Sequence, residues 1–263
     1  MPKAGSPANH LEMEEKTEIF MYSQDNRTPE DKERDWEIGQ RAEEVASFYL
    51  KLNGFFILPN FAVHRDYVNE YIHTDADILA VRFPHSIEVI NKKQLYDDPV
   101  IARIAGSRKR LFLIVEVKSG VCAINRKWTN EGWGTQHMQT AIKRMGFARV
   151  GLSAEIAQSL MGETTTWEDA DDKVVHLCMG GAKNDSLRHQ QILFSDFADF
   201  FIKRLVYHPL KVPSKSETLR IWGKFGSKLI TWQQEQVQQQ SSANSELIKD
   251  LSSEITKYIY SGS

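Results

Sequence analysis

The chain has few cysteines and no long apolar run, and each absence narrows the class of protein. Only two of its 263 residues are cysteines, Cys122 and Cys178, and neither has CxxC or Cys/His spacing around it. A disulfide framework and a structural zinc site are therefore not expected, and a reducing compartment fits the sequence. There is no N-terminal apolar segment of the signal-peptide kind, and no apolar run approaches the roughly 18 residues of a membrane helix. We predict a cytoplasmic protein that does not enter a membrane.

The chain also lacks the strong net positive charge typical of many nucleic-acid-binding proteins. Its formal net charge is −2, but the charges are unevenly distributed. Residues 1–50 hold twelve acidic and six basic side chains, whereas residues 101–150 hold ten basic and two acidic ones. A basic block is often only a solvated surface. Because this block surrounds the most unusual strand of the sequence, it favours a polyanionic partner.

The sequence divides into three parts. Residues 1–34 are acidic and aperiodic, which predicts a flexible leader. Residues 35–210 predict a mixed α/β core, and residues 211–263 predict a helical extension that ends in an amphipathic helix. Strands are predicted over 55–59, 77–83, 111–120 and 173–179, and helices over 35–52, 135–145 and 153–161. We expect Asn60 to open a loop, and the element order to give a mixed sheet flanked by helices.

The central strand, residues 111–120, combines a buried pattern with two charges. It begins with five consecutive apolar residues, Leu111–Val115, and then carries Glu116 and Lys118. An unpaired charge out of water costs several kcal/mol, so charges near the end of a buried strand need an explanation. Residues two apart on a strand point to the same face, which places this acid and this ammonium side by side. A half-exposed salt bridge is the simple alternative to a functional site.

A second carboxylate, Asp77, stands directly before the apolar residues of an earlier strand. If that strand pairs with the central one, Asp77 and Glu116 converge beside Lys118. Clustered carboxylates repel each other, and a bound cation keeps them ionised. Oxygen ligands favour Mg²⁺, for which Mn²⁺ can substitute. A neighbouring lysine can orient or deprotonate water or neutralise a phosphate, so the set suits metal-assisted phosphodiester hydrolysis.

The order Asp77, then Glu116-Val117-Lys118, resembles the D…ExK signature of the PD-(D/E)xK nuclease superfamily, the restriction-endonuclease-like fold. The helix with Glu43 and the following Gly54-Phe-Phe-Ile-Leu resemble the opening of its Holliday-junction-resolvase-like branches. The resemblance implies that Asp77, Glu116 and the Val117 carbonyl bind Mg²⁺, with Glu43 binding directly or through water. It implies that Lys118 acts on the attacking water. The intervals before and after Asp77 are longer than in compact resolvases, which indicates an inserted segment.

Several further residues have a functional and an ordinary interpretation. Basic residues around the central strand could grip phosphates or could form charged turns: Arg108, Lys109, Arg110, Arg126 and Lys127. Gln136 resembles a late glutamine that some branches use near the metal, although helix surface polarity explains it as well. Trp128 and Trp133 could stack on bases or anchor a loop.

Two acids close in sequence to the predicted metal ligands, and one histidine, are not expected to bind the metal or to act in catalysis. Asp75 is interpreted as a solvated acid close to the metal ligands. Glu44 points about 100° away from Glu43 on the helix and is expected at the surface. His176, on an apolar strand, is expected to be a core histidine.

The sequence thus predicts a Mg²⁺-dependent nuclease that hydrolyses DNA phosphodiester bonds, with an endonuclease favoured, in defence, repair or mobile-element processing. The catalytic residues would be Glu43, Asp77, Glu116 and Lys118. The alternative is a nucleic-acid-binding or assembly module with weak or no catalysis on the same fold. The C-terminal amphipathic helix either packs on the core or mediates contact with a second copy or a protein partner.

Overall fold

The computed structural model describes residues 27–64, 72–90, 92–106, 109–129, 134–149, 151–207, 215–237 and 245–261. The described residues form eight strands: β1 Phe56–His64, β2 Ile72–Arg82, β3 Glu88–Ile90, β4 Lys93–Leu95, β5 Arg110–Val121, β6 Thr166–Glu168, β7 Asp172–Ala182 and β8 Gln190–Leu193. They also form eight helices: α1 Pro29–Leu52, α2 Pro99–Ala105, α3 Arg126–Thr129, α4 Gly134–Arg144, α5 Leu152–Met161, α6 Phe194–Tyr207, α7 Lys215–Val237 and α8 Ser245–Ser261.

Six of the strands form one mixed sheet in the order β1-β2-β5-β7-β6, with β8 also paired to β7. The pairs β1–β2, β2–β5 and β6–β7 are antiparallel, whereas β7 runs parallel to both β5 and β8. The short strands β3 and β4 form a separate hairpin in the segment between β2 and β5. The predicted mixed sheet flanked by helices is therefore confirmed.

Strand β5 is buried on both faces, which explains its continuous apolar run. Leu111, Leu113, Val115 and Val117 pack into one core with α1, α6 and the C-terminal helices. Phe112 and Ile114 face the other core, which α4 and α5 cover. This alternation of faces also fixes where the charged residues at the end of β5 can point.

Aromatic packing joins α1 to α6. The rings of Tyr49 and Phe197 are stacked with their centroids 3.8 Å apart, and Phe48 meets Phe201 edge-on at 5.5 Å. Such pairs contribute about 0.5–1.5 kcal/mol beyond their burial. They hold α1 against α6 and so fix the helix that carries Glu43.

The N-terminal boundary of the core differs from the prediction. Helix α1 begins at Pro29, so residues 29–34, assigned to the flexible leader, are helical. Thr28 caps the helix by accepting a hydrogen bond from the Asp31 N–H, and Pro29 occupies the first helical turn, where no N–H is needed. The rest of the predicted leader, residues 1–26, lies outside the described residues.

Three strands are longer than predicted. Strand β1 continues through Asn60 instead of ending there, and its pairing with β2 resumes at Phe61. Asn60 has a positive φ of 51°, which asparagine tolerates better than most residues. Strand β2 begins at Ile72, five residues before Asp77. Strand β7 runs on through Gly180 and Gly181, where a Cβ on Gly181 would lie 2.3 Å from the Ser119 carbonyl oxygen. The glycines therefore permit close strand approach and do not end the strand.

The helical extension packs on the same core as the rest of the chain. The apolar stripe of α8, which includes Leu251, Ile255 and Ile259, is buried in the core that α1 and α6 share. This stripe is therefore not available for a second copy or another protein. Among the described helices, none has both the length and the apolar character needed to cross a membrane.

Candidate active site

The pairing of β2 with β5 places Asp77 next to Glu116. Ile78 lies opposite Val115 in this antiparallel pair, so the next position outward on each strand is Asp77 and Glu116. The Asp77 carboxylate oxygen Oδ2 also accepts a hydrogen bond of 2.6 Å from the Val117 backbone N–H. The side chain thus closes the strand pair just beyond the last paired residues. Asp77 is therefore hydrogen-bonded to the middle residue of the Glu116-Val117-Lys118 segment.

Lys118 forms an ion pair with Glu116. Its Nζ lies 2.6 Å from the carboxylate oxygen Oε1 of Glu116, the geometry expected for residues two apart on one strand. Only 3% of the Glu116 side chain is exposed, whereas 34% of the Lys118 side chain is. The acid is therefore buried at the base of the site, and the ammonium group reaches towards solvent. The simple salt-bridge interpretation describes this contact but does not account for the other acids around it.

Helix α1 brings Glu43 into this group. Burial, together with the negative charges of Asp77, Asp75 and Glu116, raises the pKa of Glu43 to about 7, although Lys118 opposes the shift. Such effects require that the groups be close, since exposed charges beyond about 10 Å are screened. Glu43 therefore lies close enough to the acids and the amine of β2 and β5 to be affected by their charges, and its role as a metal ligand stays a prediction.

The acids of this site bind protons more tightly than isolated carboxylic acids. Burial and then the charge of Asp77 raise the pKa of Glu116 to about 7, although Lys118 opposes this. Burial also raises the pKa of Asp77 despite Lys118 and the Val117 N–H. The facing carboxylates raise the pKa of Lys118 above its usual value, against the effect of burial. The amine therefore stays an ammonium ion at neutral pH, whereas Glu43 and Glu116 keep their protons to a higher pH than free carboxylic acids.

Comparisons with protein-family models, with curated proteins and with solved structures give no match. A function can therefore be assigned only from the residues of this chain and their chemistry. The resemblance to PD-(D/E)xK nucleases stays a prediction.

The donor chemistry of the site fits a divalent cation. Within the described ranges, no three His, Cys, Asp or Glu side chains are arranged so that they could hold a metal ion as they stand. However, one oxygen of Asp77 accepts a hydrogen bond from Val117, and one oxygen of Glu116 accepts a hydrogen bond from Lys118. Each carboxylate therefore has a second oxygen that could bind a cation. Acids whose pKa is raised by burial and mutual repulsion are stabilised in their ionised form by a cation. Glu43, Asp77 and Glu116 could bind this cation. The Val117 N–H is hydrogen-bonded to Asp77, and the Val117 carbonyl stays a predicted ligand.

The predicted basic residues lie in two places. Lys109 and Arg110 are at the start of β5, eight or more residues from Lys118, and therefore roughly 26 Å or more along the strand. Arg110 forms two hydrogen bonds to Asp172, at 2.5 and 2.8 Å, and Lys109 lies 3.7 Å from Glu168. These contacts give both residues a structural role at the opposite end of the sheet. Arg108 lies outside the described residues.

The remaining predicted contacts with nucleic acid are closer to the acids. Arg126 and Lys127 are exposed on α3, which follows the end of β5 after four residues. Gln136 is exposed in the first turn of α4. Trp128 is only 1% exposed and cannot stack on a base; it anchors α3, as the alternative proposed. Trp133 lies outside the described residues.

Of the two neighbouring acids, Asp75 matches the prediction from the sequence and Glu44 does not. Asp75 is exposed on β2, and its charge raises the pKa values of Glu43 and Asp77, as expected of a solvated acid near the site. The surface assignment of Glu44 is wrong. Its carboxylate accepts hydrogen bonds from the Phe225 N–H at 2.9 Å and from the Tyr258 hydroxyl at 2.6 Å. Sequence reasoning missed this role because both partners lie about 180 or more residues away.

His176 is a core histidine, as expected. Burial lowers its pKa to about 3, so it stays neutral, and its Nδ1 lies 3.1 Å from the His189 Nε2. Two residues further along β7, Cys178 pairs in register with Glu116. Cys178 is fully buried, and its thiol donates a hydrogen bond of 3.6 Å to the Ala123 carbonyl oxygen. The parallel pairing of β5 and β7, which no local pattern reveals, places this thiol beside the acids.

Proposed function

We propose that this protein is a Mg²⁺-dependent nuclease that hydrolyses DNA phosphodiester bonds, with endonucleolytic cleavage as the favoured activity. The observation that supports the proposal most directly is the meeting of Glu43, Asp77 and Glu116 beside Lys118. These side chains come from three elements, and each acid has a raised pKa. Burying several acids together is unfavourable for folding, and a fold that needed only packing would favour apolar residues there.

The roles of the residues follow from their contacts. When bound, Mg²⁺ would lower the pKa of a water molecule and stabilise negative charge on the phosphate. Glu43, Asp77 and Glu116 would hold the ion. The Val117 N–H fixes the orientation of Asp77 by a 2.6 Å hydrogen bond, so this ligand is positioned before the substrate arrives.

Lys118 is better suited to orienting water or neutralising a phosphate than to deprotonating water. Because the carboxylates raise its pKa, its amine remains protonated at neutral pH and is a poor general base. The ammonium group can instead donate a hydrogen bond to the attacking water or to a phosphate oxygen. Its contact with Glu116 keeps it at the site while a third of the side chain faces solvent.

Cleavage of supercoiled plasmid tests this proposal. We expect the wild-type protein to nick or linearise plasmid with Mg²⁺ and to be inactive in EDTA. Lys118→Ala and Glu116→Gln should each lower the rate by at least about 100-fold, the scale expected when an electrostatic group of this kind is removed. Matched controls are Lys143→Ala and Glu163→Gln, which change exposed residues on α4 and after α5.

Two results would contradict the proposal. One is the absence of Mg²⁺-dependent cleavage in the wild type on duplex, branched and single-stranded DNA. The other is equal cleavage by the wild type and Lys118→Ala, which would indicate a contaminating nuclease. Specific DNA binding without cleavage would favour the alternative, a binding or assembly module on this fold.

A further inference from the structure

A large cleft lies between α1, the edge strand β1 and the C-terminal helices. Its volume is about 1010 Å³, and Glu43 is part of its wall. Asn60 also lines the cleft, and it occupies the β1 position between the two residues that pair with Ile78 and Ala76, directly across from Asp77. The cleft therefore borders the acidic site at Glu43, whereas Asp77, Glu116 and Lys118 do not line it.

One face of α1 forms one wall of this cleft. Trp36, Gln40, Glu43, Ser47 and Lys51 all line it and are spaced three or four residues apart. Residues with this spacing share one helical face, and the stripe from first to last is roughly 22 Å long. Glu43 lies near its middle. A chain bound along the stripe would pass the acidic site with segments on both sides of it.

Helix α7 forms the facing wall and owes its position to two glycines. Gly223 breaks the helix with a φ of 76°, and its absent Cβ leaves room for the Glu44 carboxylate, which would lie 2.7 Å away. Gly226 lies so close to α1 that a Cβ would be 2.5 Å from the Phe48 ring. The break places Trp222 and Lys224, both in the cleft wall, on either side of Gly223.

The charges of the cleft favour an anion. Four cations line it: Arg41, Lys51, Lys224 and Lys228. Two of its acids are already engaged, since Glu44 binds Phe225 and Tyr258, and Glu37 pairs with Arg41 at 3.2 Å. Within the described residues, Lys51 and Lys224 form no ion pair. These two amines, one on each wall, are available to phosphates.

The aromatic residues favour nucleotides over a simple anion. Trp36 is 64% exposed at one end of the α1 stripe, and Trp222 is half-buried on the facing wall, edge-on to Phe48 at 5.8 Å. An exposed tryptophan on a helix gains little from folding, but it can stack on an unpaired base. A cleft of this volume holds a few unpaired nucleotides, whereas a duplex would have to lie outside it.

We propose that the cleft between α1 and α7 binds an unpaired nucleic-acid strand and guides it past Glu43. Lys51 and Lys224 bind its phosphates, and Trp36 stacks on a base. The inference rests on the proposed nuclease function and adds the substrate class: a single strand, or the unpaired arm of a branched or frayed molecule.

Binding without cleavage tests this inference separately from catalysis. Fluorescence anisotropy in EDTA compares labelled oligothymidylate, oligouridylate and duplex DNA of roughly 12 nucleotides, within the site sizes of single-strand-binding proteins. We expect one or both single strands to bind at least about tenfold more tightly than the duplex. The better of the two shows whether the strand is DNA or RNA. Equal or tighter binding of the duplex would overturn the inference.

Substitution of Trp36, and of the two lysines together, tests the proposed contacts with the strand. Trp36→Ala should weaken single-strand binding about tenfold, which is within the range for loss of one stacked base. Tyr96→Ala, which removes a 78% exposed aromatic outside the cleft, should have no effect. Lys51→Ala with Lys224→Ala should flatten the slope of log K against log salt by about 1.4, since each phosphate contact contributes about 0.7. Lys143→Ala with Lys249→Ala, both exposed elsewhere, is the control.

The failures of the two proposals are distinguishable. If the plasmid is cut but Trp36→Ala and the double lysine variant bind oligonucleotides like the wild type, the cleft proposal is wrong and the nuclease proposal stands. If the cleft variants lose binding but no substrate is cut with Mg²⁺, only the catalytic proposal is lost.

Discussion

The Tyr258 hydroxyl in α8 donates a hydrogen bond of 2.6 Å to the Glu44 carboxylate in α1. The other oxygen of the same carboxylate accepts the Phe225 N–H, in the first turn of α7 after its break at Gly223. A carboxylate at a helix N-terminus satisfies a free N–H and interacts favourably with the helix dipole. Glu44 thus joins both C-terminal helices to α1 and builds one wall of the cleft.

Loss of this contact should loosen the C-terminal helices. Tyr258→Phe removes one charge-assisted hydrogen bond and should lower the free energy of unfolding by about 1.5–3 kcal/mol. Glu44→Ala removes both bonds and should cost more. Urea denaturation followed by tryptophan fluorescence measures both effects. Tyr96→Phe, at an exposed hydroxyl, is the control and should be neutral; equal stability of all three variants would contradict the role of Glu44.

Asp77→Asn should separate stability from activity. The variant keeps an oxygen that can accept the Val117 N–H, but it removes the negative charge that raises the pKa values of Glu43 and Glu116. We expect a gain of about 1 kcal/mol in unfolding free energy in EDTA, as when a strained functional site is relaxed. Plasmid cleavage should fall at least about 100-fold. Loss of stability together with activity would indicate that Asp77 is mainly structural.

Stability without metal should fall as the pH rises from about 4.5 to about 7. Burial raises the pKa values of Glu43 and Glu116 to about 7, from 4.5 for a free side chain. The folded state therefore binds more protons than the unfolded state in this window, and unfolding free energy decreases as protons are removed. Thermal melts in EDTA at several pH values measure the fall, at about 2–4 °C for each kcal/mol.

Two comparisons make the pH prediction specific. Glu43→Gln should flatten the fall because one titrating acid is gone, whereas Glu163→Gln, at an exposed position, should leave it unchanged. Mg²⁺ should raise the melting temperature more above pH 7 than at pH 5, because the ion binds the ionised acids. A stability curve that rises across this window would show that the acids are not buried together.

Arg110→Ala should affect stability and leave DNA binding unchanged. Its guanidinium makes two bonds to the largely buried Asp172, and removing it leaves that acid without this partner. We expect a loss of about 1–2 kcal/mol in unfolding free energy, because Arg110 itself is half-exposed and partly screened. Arg126→Ala, on exposed α3 beyond the end of β5, should instead weaken DNA binding in anisotropy measurements with little change in stability. The reverse result would place the DNA at the opposite end of the sheet.

The sequence by itself determined the central strand and its chemistry. The run Leu111–Val115 followed by Glu116 and Lys118 predicted a strand buried on both faces, because alternation puts residues two apart on one face. The helical spacing around Glu43 and the strand after Asp77 were also predictable, since local periodicity reflects burial. Boundaries such as Pro29 and Asn60 were missed because a cap or an unusual φ changes no periodic pattern.

Only the tertiary structure decided which distant residues meet. The register of β2 with β5 puts Asp77 across from Glu116, and hydrogen bonds between segments far apart in the chain engage Glu44. The lysines of the cleft come from α1 and α7, which are separated by more than 160 residues. Local patterns record how each segment is buried. They do not record which segment covers it, because that choice depends on the packing of the whole core.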